Sequence, residues 1–148
     1  MPILILSLLS PINDITTSFN PVVQFVKPLT YQESFKEVQL KLYPDLKPLE
    51  VNVPAALVFE TAVSLAKQEP QWEVTIVDPQ KLHLEAVATT ALLKFKDDLV
   101  IEVKSLSDGK SQIQMRSRSR VGRSDLGANA KRIQSFFDKI KNQFESRN

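Results

Sequence analysis

No cysteine occurs anywhere in the chain. That excludes disulfide staples, thiolate nucleophiles and cysteine-ligated zinc together. Only three glycines are present, Gly109, Gly122 and Gly127, and they never cluster. There is accordingly no glycine-rich loop to cradle a phosphate. The single histidine, His83, leaves a metal site with carboxylates alone around it, and triad chemistry would need an exposed serine beside that ring. No aromatic residue interleaves with the most basic run, RSRSRVGR, which argues against base stacking and so against nucleic acid as a partner. The longest apolar run, within MPILILSLLSPIN, falls well short of the ~20 residues that span a bilayer. It also lacks a positive leading region and a small-residue cleavage site. We read residues 1–12 as an apolar segment packed on the domain or on a partner, compatible with peripheral membrane association but with no transmembrane role.

What is present suits one α+β domain over residues 13–148. A chain of 148 residues can bury about 68–70% of its unfolded surface, enough for a core without staples. The net charge of +2 hides a division. Residues 1–109 carry nine Lys/Arg against fourteen Asp/Glu, and residues 110–148 carry ten against three. The two parts are electrostatically complementary and can neutralise each other in the fold.

Residues 13–53 read as an extended, proline-rich wrapping arm, because Pro21, Pro28, Pro44 and Pro48 fix φ and remove backbone donors. One short helix is expected inside it at Tyr31–Leu42, where Tyr31, Phe35, Val38 and Leu42 repeat at helical spacing. Pro54 then opens a helix with Val58, Phe59, Ala62, Leu65 and Ala66 as its apolar stripe. Period-two alternation follows in WEVTIV, in LHLEAVAT, around Leu99, Ile101 and Val103, and from Ile113 to Val121. SDGK at 107–110 is the hairpin signal, with Gly109 in its turn. A last helix carries Leu126, Ala130, Ile133, Phe137, Ile140 and Phe144. The expected fold is a two-layer α+β sandwich. A four-stranded antiparallel sheet packs two helices, 54–68 and 124–143, on one face and leaves the other wet.

Several stretches, NDITTSFNPVVQF, YPDLKPLEV, EAVATTALLKFKDDLVIEV and above all RSRSRVGRSDLGANAKRI, resemble the bacterial, cyanobacterial and plastid family catalogued as domain of unknown function 1499. The likeness runs over residues 13 to 142. It implies a fold and supplies no activity. By the family's distribution it also makes cyanobacterial or plastid (thylakoid) membranes a setting by analogy.

The candidate site residues each have a structural reading. Asp97 and Asp98 point to opposite faces at a strand entrance, which is poor geometry for a pair of catalytic carboxylates. Ser124 and Asp125 read as a helix cap, Gly122 as the strand-to-helix corner, and Gly127 as a close approach of helix to sheet against Ser117 and Ser119. A three-residue loop at 108–110 would set Glu102 opposite Arg116 and Asp98 opposite Arg120, two structural ion pairs across the hairpin. Arg118 and Arg123 would stay free as contacts for an anion or a partner. With no catalytic constellation, the expectation is a protein that is not an enzyme and takes no cofactor or metal. It would bind a protein partner as an accessory module, as in a small subunit of a membrane-associated, photosynthetic assembly. The alternative is a carrier of a small apolar ligand in a pocket between helices and sheet. Localisation is left at cytoplasmic or peripheral to a membrane.

Overall fold

Four alternating segments between residues 72 and 119 form the centre of the molecule, and their parity decides which face receives the helices. The computed structural model describes residues 12–122 and 124–145 of the chain. Of the expected N-terminal segment only Ile12 falls among them, and Arg123 lies outside them. The order is β1 (Asp14–Thr16), α1 (Phe35–Leu42), β2 (Leu49–Val51), α2 (Ala55–Gln68), β3 (Trp72–Asp78), β4 (His83–Thr89), β5 (Lys96–Ser107), β6 (Lys110–Ser119) and α3 (Ala128–Glu145).

Every strand pairing is antiparallel, in the order β1-β6-β5-β4-β3, with β2 also on β6. Among the described residues the expected four-stranded sheet is therefore corrected to six strands, and beside the two long helices stands the short one expected in the arm, beginning at Phe35 and not at Tyr31. The additions all come from the arm. Strand β1 pairs with residues 116–118 of β6 and β2 with residues 111–113, so both fill the edge that β6 would otherwise expose. At three residues each they are too short to show alternation. The side chain of Gln39 on α1 finishes that edge. Its Nε2 donates to the Thr16 carbonyl at 2.7 Å, and its Oε1 accepts the Thr16 N–H at 3.2 Å.

One core layer holds Val58, Phe59 and Ala62 of α2, Ile133, Phe136 and Ile140 of α3, and the odd-numbered Leu99, Ile101, Ile113 and Met115 of the sheet. Both long helices thus lie on one face. The opposite face is not wet as expected. Val23 and Phe25 from the arm form a second buried cluster with Val100 there.

The hairpin register also differs. Ser107 faces Lys110 across a two-residue loop, and a bulge at Leu106 then sets Ser105 opposite Ser111. As a result Arg116 faces Val100, Arg118 faces Asp98 and Glu102 faces Gln114. The expected Glu102–Arg116 pair is absent for that reason. Gly109 sits in the turn, with nothing within 4 Å of where a Cβ would stand.

Candidate functional site

The basic stretch 116–133 folds into a braced corner between β6 and α3. Three residues in it have left-handed backbone: Gly122 at φ 86°, Leu126 at φ 55° and Gly127 at φ 83°. The Asp125 carboxylate accepts the Gly127 N–H at 2.7 Å and the Asn129 N–H at 3.4 Å, while Ser124 Oγ accepts the Leu126 N–H at 3.2 Å. The cap residues thus act, but the helix starts at Ala128 and Gly127 precedes it. Its φ of 83° lies in the left-handed region that favours glycine. Gly127→Leu is expected to destabilise by more than ~1 kcal/mol, because an L-residue in left-handed backbone costs about 1–2 kcal/mol. Thermal unfolding of the two proteins checks this, and a leucine variant as stable as wild type would refute it.

Ser117 and Ser119 are small in order to receive a polar side chain. Ser117 Oγ donates to Asn129 Oδ1 at 2.5 Å, and Asn129 Nδ2 donates to Ser119 Oγ at 2.9 Å and to Asp125 at 2.8 Å. Arg132 closes the network with 2.8 Å to Asn129 and 2.9 Å to Asp97. Burial pushes the Asp125 carboxyl up from its ordinary value, aided by Asp97, against the pull of these hydrogen bonds. Asp98, on the other face, takes Arg120 through both of its oxygens, at 2.8 to 3.2 Å. FKDD and the stretch 119–133 therefore meet twice, once on each side of the sheet.

The remaining arginines turn toward the arm. Arg116 is fully buried, and Arg118 Nε lies 3.6 Å from Asp14, so Arg118 is not the free charge expected. All five donors of Arg116 are used. Its Nε and Nη2 hold Asp14 at 2.9 and 2.7 Å, and the others reach Val23 O, Gln24 Oε1 and Leu29 O, each at 3.1 Å. The rings of Phe25 and Tyr31 lie 5.3 and 5.7 Å from the guanidinium. The buried Tyr31 hydroxyl has no hydrogen-bond partner among the described residues, and burial pushes its pKa up to about 12. Tyr31→Phe should therefore leave stability unchanged or slightly raised in a denaturant melt, since it removes an unsatisfied donor. A clear loss would reveal a partner for the hydroxyl.

On the same face His83 sits between two carboxylates, Glu85 at 2.6 Å and Glu102 at 3.0 Å. Glu85 also accepts the Val26 N–H of the arm at 2.7 Å. The hydrogen bond to Glu102, then that to Glu85, raises the His83 pKa above its ordinary 6.5 in spite of burial. A raised histidine stabilises fully below about 6.5 and loses that contribution as pH climbs through the folded value. The stability advantage of wild type over His83→Gln should accordingly be greatest in mild acid and shrink toward alkaline pH. An advantage that grows with pH would show the imidazolium reading to be wrong.

The corner also forms one wall of a groove. Leu126, Gly127, Ala130, Lys131 and Gln134 face Leu42, Tyr43, Pro44, Asp45 and Leu46 across about 600 Å³. The left-handed turn at Leu126 and Gly127 leaves the Leu126 side chain 63% exposed, where the apolar stripe had placed it in the core. Sequence reasoning missed this groove, and the signal was the D-L-G run read as ordinary helix. The space between α3 and the sheet, where a ligand pocket was considered, is occupied by Ile133, Phe136 and Ile140 at 0–1% exposure.

The family described as "Protein of unknown function (DUF1499)" matches residues 13–140. No curated protein matches. Two solved structures are similar to part of this chain. The di-domain ARO/CYC BexL from the BE-7585A biosynthetic pathway is 12% identical at a TM-score of 0.49, over 66% of this chain and 45% of its own. The di-domain ARO/CYC StfQ from the steffimycin biosynthetic pathway is 16% identical at 0.49, over 68% and 46%. The aligned part thus spans less than half of either relative. Their names correct one expectation: the neighbours are aromatase/cyclase domains, so the statement that this chain is not an enzyme is withdrawn. At that similarity no activity passes to it. No described helix is long and apolar enough to cross a membrane.

Proposed function

We propose that the chain, which belongs to the DUF1499 family of proteins of unknown function, is a binding module acting as an accessory subunit of a larger, membrane-associated assembly. The observation that carries this reading is the groove between residues 42–46 and the start of α3. Its volume falls within the ~300–1,000 Å³ of ligand sites. Leu42, Leu46, Leu126 and Ala130 make its walls apolar, and Asp45 and Lys131 border it with one charge of each sign. A buried small molecule hides ~70–90% of its surface, which a groove open along one side cannot do. An extended apolar segment of a partner protein needs only one covered side. The braced corner supports this role, since Asp125 and Asn129 hold the Leu126 wall in place before any partner arrives.

The test places a photo-crosslinking residue at Gln134 in the source cell. Crosslinks to another protein, lost on Leu126→Glu, are the expected result. A small-molecule adduct in native mass spectrometry of the purified protein, with no protein crosslink, would replace this reading by ligand carriage. A lone monomer with neither would end both.

A further inference from the structure

The connection between β4 and β5 is unlike the rest of the surface. Leu92 is 88% exposed, Leu93 61% and Phe95 44%, three large apolar side chains at one hairpin tip. The tip is preorganised. Thr90 N–H donates to the Phe95 carbonyl at 2.8 Å, Thr90 Oγ1 accepts the Phe95 N–H at 2.8 Å, and the Lys94 N–H returns to the Thr90 carbonyl at 3.1 Å. Lys94 holds the turn in left-handed backbone at φ 57°.

The tip itself carries two lysines, and one exposed carboxylate, Glu73, borders the hollow beside them. Lys94 and Lys96 are exposed and enter no ion pair among the described residues, while the adjacent carboxylates of Asp97 and Asp98 are already taken by Arg132 and Arg120. The charge on the tip itself, from Lys94 and Lys96 against the single Glu73 beside them, therefore favours a negatively charged surface.

From this geometry we propose that the 90–95 loop inserts into the interfacial region of an anionic lipid bilayer. Leu92, Leu93 and Phe95 would enter the acyl boundary, and Lys94 and Lys96 would meet the headgroup phosphates with their stems along the apolar layer. Two features favour lipid over a protein partner. The apolar surface is a projecting knob of three side chains, whereas a stable protein interface needs roughly 800 Å² on each partner. Unpaired lysines flanking an apolar tip match the two-part logic of interfacial binding, apolar insertion plus attraction to anionic headgroups. The loop lies apart from the groove, so this inference does not depend on the occupant of that groove.

The experiment is co-sedimentation of the purified full chain with vesicles of phosphatidylcholine alone or mixed with phosphatidylglycerol, at low and high salt. Wild type should bind the mixed vesicles at least tenfold better than the neutral ones. Leu92→Glu with Leu93→Glu should lose at least tenfold on mixed vesicles, with an unchanged melting curve because the loop is outside the core. Lys94→Glu with Lys96→Glu should abolish the preference for anionic lipid. A tryptophan at position 92 should shift to the blue and be quenched by brominated lipid. Binding equal in wild type and the double glutamate variant would overturn insertion, as would no binding at all. A dimer in sedimentation velocity that dissolves on Leu92→Glu with Leu93→Glu, without vesicle binding, would assign the tip to a second copy and also overturn it.

Discussion

Asp14→Ala is expected to cost about 3–5 kcal/mol and to release the arm from the sheet. Removing one member of a buried ion pair leaves the other charge uncompensated, and that orphan accounts for most of the loss. Asp14 is 2% exposed and Arg116 0%, so water cannot take over the vacated hydrogen bonds without opening the structure. Arg116 also donates to Val23 O, Gln24 Oε1 and Leu29 O, so disturbing it loosens residues 23–29 together. Limited proteolysis between residues 18 and 30 should rise by a large factor in the variant, alongside the fall in denaturant midpoint. Arg116→Lys should also fail, because one ammonium cannot reach a bidentate carboxylate and three separate oxygens at once. Replacing both partners, Asp14→Leu with Arg116→Met, should recover part of the loss by removing the orphan charge. An Asp14→Ala protein within about 1 kcal/mol of wild type would refute this account.

That pair also marks where sequence reading stopped. The four central strands and the two long helices were legible from residues such as Leu99, Ile101, Ile133 and Ile140, whose periodicity gave both element type and buried face. The partner of Arg116 was not. Parity placed Arg116 away from the core, and a hairpin with a longer turn offered Glu102 as its counter-ion. The bulge at Leu106 moved the pairing by two residues, and Glu102 went to His83. The true partner lies 102 residues earlier on a three-residue strand with no alternation of its own. Long-range pairing by so short a strand depends on tertiary context, because local propensity carries almost no information over three residues.

The groove was hidden for a different reason. Leu126 fits the apolar stripe of α3 by spacing, and only the left-handed φ of Leu126 and Gly127 takes it out of the helix. The signal, a glycine two residues after the cap aspartate, was visible but permitted two interpretations. Asn129 was likewise silent, since a lone asparagine in a helix gives no sign that it will be buried against two strand serines. The exposure of Leu92, Leu93 and Phe95 was silent too, because exposure is a property of the fold.

Phe136→Ala should cost about 3–5 kcal/mol, the range for removing a buried aromatic side chain when the surroundings cannot collapse. Phe136 was outside the expected stripe, yet it is 1% exposed and lies with its ring centroid 5.0 Å from that of Trp72. The apolar face of α3 is wider than a single i, i+3, i+4 line, and residue 136 fills its other half. This side chain is one of those occupying the space where a ligand pocket between helices and sheet was considered. The variant therefore separates a filled interior from a vacant one. With a filled interior, wild type should not take up benzene, and Phe136→Ala should gain a dry cavity that binds it and recovers part of the lost melting temperature. A loss under about 1 kcal/mol, or benzene binding already present in wild type, would mean that the interior holds space of its own. In that case ligand carriage would move from the groove to the core.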